Sequence, residues 1–487
     1  MISSRTRRRE GADREVEVSS TAPKIGQAPT PARRRVKHLA RLTCLVIASY
    51  FAVSVGFALL NADEFASALP QFIRYVLAPG ALALALCLVA FFARARTVGI
   101  VTALMASVLV SLFVFEAAMT RRTYSSVAGM VSIPDAEWMR RAGLDHALPP
   151  SRTAKGLNAS LGISQLQDAL LGGMPNARVL LCTGNGQPIV YRADRYGFNN
   201  PDRLYDPPVD LMLVGDSFVE GICLPQESNL VSQARAVVPA TIGLGHRGAG
   251  PLMELAMLGR FGPLIRPRIV VLVFFEGNDW ENLETERKTG YLRQALVPGQ
   301  DFGTPRPDSA VQRRSQALIA AWIAGDKPAL VDVVQRTNSA RNFFALSHAA
   351  LAMGVAYPKA ASDQPDFQSL LERARAIVRS WGGELVIFYI PQADRFQGLL
   401  RRDFVYDQVR TRVIAASRAA RVPLIDVTPI VGATGSPQSL YDRGGHFSEI
   451  GARLVGRTVG AWAATGLGQP LSCADGAGRG CVRHRTD

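Results

Sequence analysis

Three long apolar runs come first in the chain. Residues 42–60, 75–93 and 98–115 contain no charged side chain, and each is about long enough to cross a bilayer. We interpret them as three transmembrane helices, because three uncharged runs so close together are not typical of buried core helices. Pro79 and Gly80 interrupt the second run, and membrane helices tolerate such residues where the freed backbone groups find other partners.

Short apolar runs alternate with helical patterns farther along the chain. The predicted strands are residues 211–214, 240–244, 269–275, 384–390 and 423–427, and helical patterns such as 252–260, 367–381 and 406–420 lie between them. This alternation predicts an α/β domain, with a mainly parallel five-stranded sheet covered by helices on both faces. An insertion at about 280–365 is longer than a crossover needs. It either packs on the domain, caps the site, or does both.

The pattern divides the chain into five parts. We expect a basic cytoplasmic tail at 1–41, three transmembrane helices within 42–118, a connecting region at 119–207, the α/β domain at 208–468 and a tail at 469–487. Within the connecting region, residues 178–192 read as a β-hairpin. Asn185–Gly186 is the signal for its turn.

Charge sets the expected orientation. The net charge is +15, and residues 1–41 hold eleven Lys/Arg against four Asp/Glu. This tail lacks interleaved aromatic residues and precedes an apolar run, so we expect anionic lipid next to it and no nucleic acid. The loop at 61–72 lacks Lys and Arg, whereas Arg94 and Arg96 join the second and third runs. Positive-inside bias therefore predicts a multi-pass membrane protein, with the tail in the cytoplasm and the α/β domain outside.

Cysteine usage agrees with that placement. Cys182, Cys223, Cys473 and Cys481 fall in the outer portion, where an even number permits disulfides. Cys473 and Cys481 enclose a short glycine-rich loop and are the pair we expect. No metal-ligand spacing is present, and we expect neither a metal nor an organic cofactor.

Candidate chemistry lies just after the predicted strands, where parallel sheets place ligands. Ser217 follows the first strand, within the sequence Gly215-Asp216-Ser217. A serine nucleophile needs a base and donors for the oxyanion. Residues 243–251 supply glycines after the second strand, and Asn278 follows the third. Asp442 and His446 follow the fifth.

These blocks resemble the SGNH hydrolase superfamily of GDSL esterases and lipases, over roughly residues 195–465. The resemblance implies a flavodoxin-like three-layer α/β/α domain with Ser217 as the nucleophile. Its own N–H, the N–H of Gly248 and the side chain of Asn278 would form the oxyanion hole. His446 would be the base, and Gly451 follows it at the usual distance. Gly277 stands directly before Asn278, one residue closer than the family pattern has it.

The acidic residue that would orient His446 is displaced by one position from the family pattern. The family places it three residues before the histidine, where this chain has Arg443, and the nearest acid is Asp442, four residues before. A bulge at the following glycines would let Asp442 orient His446. Asp426, or a Ser–His dyad helped by a backbone carbonyl, remains an alternative.

The resemblance implies a membrane-anchored serine esterase of a bacterial inner membrane, with its α/β domain in the periplasm. Its expected substrate is an acyl ester, either an O-acyl group of a cell-envelope glycan or a lipid. An O-acyltransferase that works with envelope polysaccharide machinery, and an inactive binding domain, are alternatives. We treat His246 and Arg247 as loop residues. Glu220 and Glu276 resemble a glycosidase pair, but nothing in the sequence requires that chemistry.

Overall fold

A computed structural model describes residues 31–131, 135–144, 146–150, 152–183, 188–305, 309–325, 339–359, 361–400, 403–442 and 444–466. The hairpin turn at 185–186, the pair Cys473 and Cys481, the tail at 469–487 and most of the basic tail lie outside these residues.

Three long helices, Pro31–Leu60, Leu69–Phe92 and Ala95–Val131, precede the sheet. Each contains a stretch that is apolar and long enough to cross a membrane. The first helix begins well before residue 42, because arginine and lysine are good helix formers even where they cannot enter lipid. A π-helical turn at Ile73–Leu77 immediately precedes the segment with Pro79, whose ring would crowd the carbonyl four residues earlier in a regular helix.

In the part of the chain that the structure describes, seven strands form two sheets. Strands β1 (Arg178–Cys182) and β2 (Ile189–Arg192) pair antiparallel in the connecting region. The five others are β3 (Leu211–Gly215), β4 (Thr241–Gly245), β5 (Ile269–Phe275), β6 (Glu384–Ile390) and β7 (Leu424–Asp426). They make one parallel sheet in the order β4-β3-β5-β6-β7. The predicted five-stranded parallel sheet is therefore confirmed, with the flavodoxin-like strand order.

Helices cover both faces of this sheet. Side chains alternate between the faces along each strand, so Met212 and Val214 enter one core whereas Leu211 and Leu213 enter the other. The first core contains helices Pro251–Ile265 and Asp366–Arg379. The second contains Leu230–Arg235 and Glu449–Gly466. Because all five strands are parallel, their carboxyl ends meet at one edge, which we call the carboxyl edge.

Within the described residues, the remaining helices lie in the connecting region, directly after β3, in the insertion and in the carboxyl-terminal part. They are Asp135–Arg141, Ala154–Ser160, Ser217–Glu220, Asp279–Glu286, Ala310–Gly325, Ser339–Phe344, Ser347–Met353, Asp403–Ala420 and Thr428–Gly432, with short turns at Ala62–Phe65 and Gly290–Arg293. Ala310–Gly325 packs with Asp135–Arg141 and the hairpin in a separate apolar cluster. The insertion is thus divided, with one part on the connecting region and another on the three long helices.

A disulfide joins Cys182 at the end of β1 to Cys223, just after helix Ser217–Glu220. The bond crosses 41 residues of sequence. It ties the hairpin to the segment that follows the candidate nucleophile. The sequence permitted this pair but gave no reason to choose it.

Candidate active site

Ser217 stands at the turn from β3 into a short helix. The carboxylate of Asp216 accepts a hydrogen bond of 2.9 Å from the Phe218 N–H and thereby caps that helix. The turn lies tightly against the neighbouring strand, since a Cβ on Gly245 would come within 2.3 Å of the Glu220 nitrogen. Glycine is therefore required beside the turn. Ser217 is largely buried, with 7% of the residue exposed, at the carboxyl edge of the sheet.

Ser217 and His446 are in direct contact. The Ser217 Oγ lies 2.9 Å from the His446 Nε2, although 229 residues separate them in sequence. The histidine loop is closed by an antiparallel bridge between Tyr441 and Phe447. The imidazole packs beside the Phe218 ring, with 5.2 Å between the ring centroids. This contact is the geometry that a serine nucleophile and its base require.

The side chain of Asp442 shapes the histidine loop by binding backbone N–H groups. Its Oδ1 accepts hydrogen bonds from the N–H of Gly444 at 2.7 Å and of His446 at 3.0 Å. Gly445 has a φ of +81°, a conformation that favours glycine and accommodates the extra residue of this loop. Within the described residues, no hydrogen bond joins the Asp442 carboxylate to the His446 ring. The alternative acid, Asp426, binds Arg410 and the Thr428 N–H.

Asp216 is a second acid near the imidazole. It is fully buried, and its Oδ2 lies 3.4 Å from the Ser217 Oγ. Burial raises the pKa of Asp216, against the opposing effects of the Phe218 N–H, the nearby His446 and a side-chain hydrogen bond with Asn278. A carboxylate in this position stabilises a positive charge on His446.

The two other candidate oxyanion residues flank Ser217. Gly248 follows β4 and Asn278 follows β5, and these strands are the two neighbours of β3 in the sheet. Gly248 has a φ of +74°, and a Cβ there would lie 2.9 Å from the Thr153 methyl group. Asn278 precedes helix Asp279–Glu286, and its Oδ1 is buried without a hydrogen-bond partner among the described residues. The fold therefore brings all three candidate donors to one edge.

A buried ion pair joins helix Ser217–Glu220 to the loop that carries Gly248. We call this helix the nucleophile helix, after the candidate nucleophile at its start. The Glu220 carboxylate accepts from the Arg247 N–H at 2.7 Å and from its guanidinium at 2.6 Å. Burial would raise the pKa of Glu220, but Arg247 and His246 lower it below its usual value. Tyr191 of the hairpin contacts the same carboxylate at 3.4 Å. Arg247, interpreted from the sequence as an ordinary loop residue, thus holds the loop in place.

The connecting region supports the same loop. The Ala154 N–H donates to the His246 Nε2 at 3.1 Å, which requires a neutral imidazole. Burial lowers the pKa of His246 to about 4. Lys155 binds Glu286, whose carboxylate also accepts the Gly250 N–H at 2.8 Å. Sequence reasoning missed these residues, because the connecting region precedes the sheet and carries no recognisable motif.

Buried carboxyl groups lie near the loops that carry Gly248 and Asn278. Burial raises the pKa of Asp279 and Glu254 well above the usual value, and neighbouring carboxylates add to the effect. Asp279 accepts the Phe275 N–H at 2.6 Å and so holds the loop that carries Asn278.

The two carboxylates that resemble a glycosidase pair are each bound to an arginine. Glu220 pairs with Arg247, and Glu276 pairs with Arg395 in a fully buried contact. Both therefore serve as structural partners of arginine. Among the described residues, no group of three or more His, Cys, Asp or Glu side chains could hold a metal ion.

Comparison with known proteins adds one structural likeness. No protein-family model matches the chain, and no curated protein matches it. Among solved structures, a lipase/acylhydrolase from Enterococcus faecalis is similar to this chain at 14% sequence identity. The match covers 53% of this chain and 96% of that chain, with a TM-score of 0.29.

Proposed function

We propose that this protein is a membrane-anchored serine esterase of the SGNH type. The observation that carries the proposal is the 2.9 Å contact between the Ser217 Oγ and the His446 Nε2, at the carboxyl edge of a parallel sheet. This contact favours an enzyme over an inactive binding domain, for which no hydrogen bond between these two side chains would be needed.

The proposed reaction proceeds through an acyl-enzyme. His446 accepts the Ser217 proton at Nε2 while Oγ attacks the ester carbonyl. The N–H groups of Ser217 and Gly248, with the Asn278 amide, stabilise the oxyanion. Collapse releases the alcohol, which takes the proton from His446. Water then attacks the acyl-serine with His446 again as the base, and the carboxylic acid leaves as Ser217 regains its proton.

The proposed location is the outer face of a bacterial inner membrane. Three helices are apolar and long enough to span a membrane, and the distribution of Lys and Arg favours a cytoplasmic tail. The disulfide between Cys182 and Cys223 supports an oxidising compartment for the α/β domain. The residues that contact one another around Ser217 all come after the third apolar helix in the sequence.

The substrate we propose is an O-acyl group on a cell-envelope glycan. Membrane anchoring would keep such an enzyme beside the envelope polymers, and the resemblance to the SGNH superfamily makes acyl esters the expected substrates. A sugar hydroxyl in place of water would make the same acyl-enzyme an O-acyltransferase. Product analysis with an acylated oligosaccharide and a second, unacylated one distinguishes these two outcomes.

Hydrolysis of p-nitrophenyl acetate and butyrate by the full chain in detergent tests the proposed chemistry. We expect turnover by the wild type and a loss of at least about 10³-fold in kcat for Ser217→Ala. The exposed Ser380→Ala is the matched control and should match wild type. Equal rates for wild type and Ser217→Ala would refute the proposal.

A further inference from the structure

Part of the insertion lies along the three apolar helices. The Tyr50 hydroxyl donates a 2.8 Å hydrogen bond to the Phe344 carbonyl, and the Phe113 and Phe343 rings are 5.5 Å apart. The buried carboxylate of Glu116 accepts the Ala349 N–H at 3.0 Å. Helices Ser339–Phe344 and Ser347–Met353 are therefore attached to the first and third apolar helices.

These contacts reach below the outer end of the bundle. Tyr50 lies ten residues before Leu60, where its helix ends, which corresponds to about 15 Å along the axis. An apolar core of about 30 Å would thus include part of the segment that contacts Tyr50. Phe344 contributes a side chain that is 64% exposed at this level.

The part of the insertion at 339–359 begins and ends at the same end of the three apolar helices. On the entering side, the Arg341 guanidinium lies 5.6 Å from the centre of the Phe65 ring, in the loop after the first helix. On the leaving side, the Tyr75 hydroxyl donates to the Tyr357 carbonyl at 2.7 Å, and Lys359 binds Glu64 at 2.9 Å. Cationic side chains thus flank an apolar stretch at both ends, as expected at a lipid headgroup boundary.

A second apolar loop packs beside this segment. A Cβ on Gly398 would come within 2.5 Å of the Gly354 Cα, so the two backbones are in close contact. Leu399 is 87% exposed and Leu400 is 58% exposed. Phe404, also exposed, packs against the Tyr357 ring with 6.1 Å between centroids.

We propose that the lipid of the outer leaflet covers this surface. We define the lipid-facing patch as Phe344, Met353, Leu399, Leu400 and Phe404, all large apolar side chains with exposed surface. Clustered apolar side chains of this size mark an interaction site. The patch is continuous with the apolar helices through the Tyr50 and Tyr75 contacts, and lipid is the partner that those helices themselves require. This inference rests on the proposed membrane placement and is independent of the proposed ester chemistry.

The patch adjoins the loops at the carboxyl edge of the sheet. Leu399 follows Phe396 by three residues, a span of at most about 11 Å. The Phe396 carbonyl accepts a hydrogen bond from Gln438, in the turn that leads to the histidine loop. An acyl ester held at the bilayer surface would therefore reach Ser217 from the membrane side of the domain.

Photo-crosslinking of the full chain in lipid nanodiscs tests this inference. We would place p-benzoylphenylalanine at position 344 or 400 and identify phospholipid adducts by mass spectrometry. Position 53, which is 72% exposed on the first apolar helix, is the positive control. Leu264, which is 52% exposed near the opposite edge of the sheet, is the negative control.

We expect lipid adducts at positions 53, 344 and 400 and at least tenfold fewer at 264. Adducts at 53 with background at 344 and 400 would overturn the lipid-facing patch alone. A covalent dimer from 344 or 400 in place of lipid adducts would also overturn it and indicate a second copy as the occupant. Background at all four positions would overturn both the patch and the proposed membrane placement, without bearing on the esterase chemistry.

Discussion

Glu220 and Arg247 connect the two elements that the proposed reaction must hold in register. Glu220 lies three residues after Ser217, and its carboxylate binds both the backbone and the guanidinium of Arg247. Arg247 immediately precedes Gly248. Both side chains are almost completely buried, so the pair fixes the distance between the nucleophile helix and a proposed oxyanion donor.

Neutralising Glu220 should impair the chemical step more than substrate binding. Glu220→Gln leaves the Arg247 charge buried without its counter-charge, which typically costs about 3–5 kcal/mol of stability when a partner is removed. We expect a lower thermal midpoint and a fall of at least tenfold in kcat, with KM within about threefold of wild type. Steady-state kinetics with a p-nitrophenyl ester would measure this, with the exposed Glu227→Gln as the control.

The double variant Glu220→Gln with Arg247→Met separates stability from positioning. Removing both charges should restore much of the thermal midpoint without restoring kcat, because the Gly248 loop remains unanchored. Full recovery of kcat would show that the pair contributes only stability.

Asp442→Asn tests whether the charge of this residue is needed. Asparagine retains an oxygen that can accept the N–H groups of Gly444 and His446, so the loop should keep its conformation. If Asp442 orients and stabilises the His446 imidazolium, as the resemblance to the SGNH superfamily implies, kcat should fall by about 10²-fold with an unchanged thermal midpoint. A fall of less than threefold would restrict Asp442 to shaping the loop. Asp216→Asn would then be the next variant to measure.

Stability should fall in mild acid because of His246. Its pKa is about 4 in the folded protein because burial disfavours the charged ring, against about 6.5 when unfolded. Between these values the unfolded chain binds more protons, so stability is lost as pH falls from about 6.5 toward 4. The loss from this group is about 2 kcal/mol at pH 5.

Thermal midpoints in detergent at pH 7.5 and pH 5.0 measure this dependence. The difference between the two midpoints should be smaller for His246→Gln than for wild type by several degrees. The exposed His146→Gln should show the wild-type difference. An equal difference in all three proteins would mean that His246 is already protonated when folded.

Loss of the Cys182–Cys223 disulfide should weaken the nucleophile segment. A covalent link across 41 residues restricts the unfolded chain, and its removal typically costs about 2–4 kcal/mol. We expect the Cys182→Ser, Cys223→Ser double variant to melt roughly 5–10 °C below wild type. Cys87→Ala, which removes a free thiol, is the control. Melting of the double variant within 1–2 °C of wild type would show that the bond does not stabilise the fold.

The sheet could be predicted because its strands are buried on both faces. Residues 269–275 and 385–390 are continuous apolar runs in the sequence, and the structure has strands at Ile269–Phe275 and Glu384–Ile390. Parallel strands also share one edge, so the order of the motifs along the chain was enough to expect Ser217 and His446 at that edge. The hydrogen bond between the two side chains could be recognised only in the three-dimensional structure.

The supporting contacts could not be predicted in this way. Lys155 binds Glu286 across 131 residues, and Tyr50 binds Phe344 across 294 residues. Contacts at such separations leave no periodic pattern in the sequence. Local spacing also favoured Cys473 and Cys481 as a disulfide pair, a prediction that falls outside the described residues. The observed pairing of Cys182 depends on how the hairpin meets the nucleophile helix.

The most direct test of the account is covalent labelling of the full chain with a fluorophosphonate probe. Such a probe bonds to a serine that a neighbouring base has activated, and peptide mapping identifies the residue. We predict labelling on Ser217, no label on Ser217→Ala, and a labelling rate at least 10²-fold lower for His446→Gln. A folded wild-type protein that takes up no probe, or equal labelling of Ser217→Ala, would contradict the assignment of Ser217 as the nucleophile.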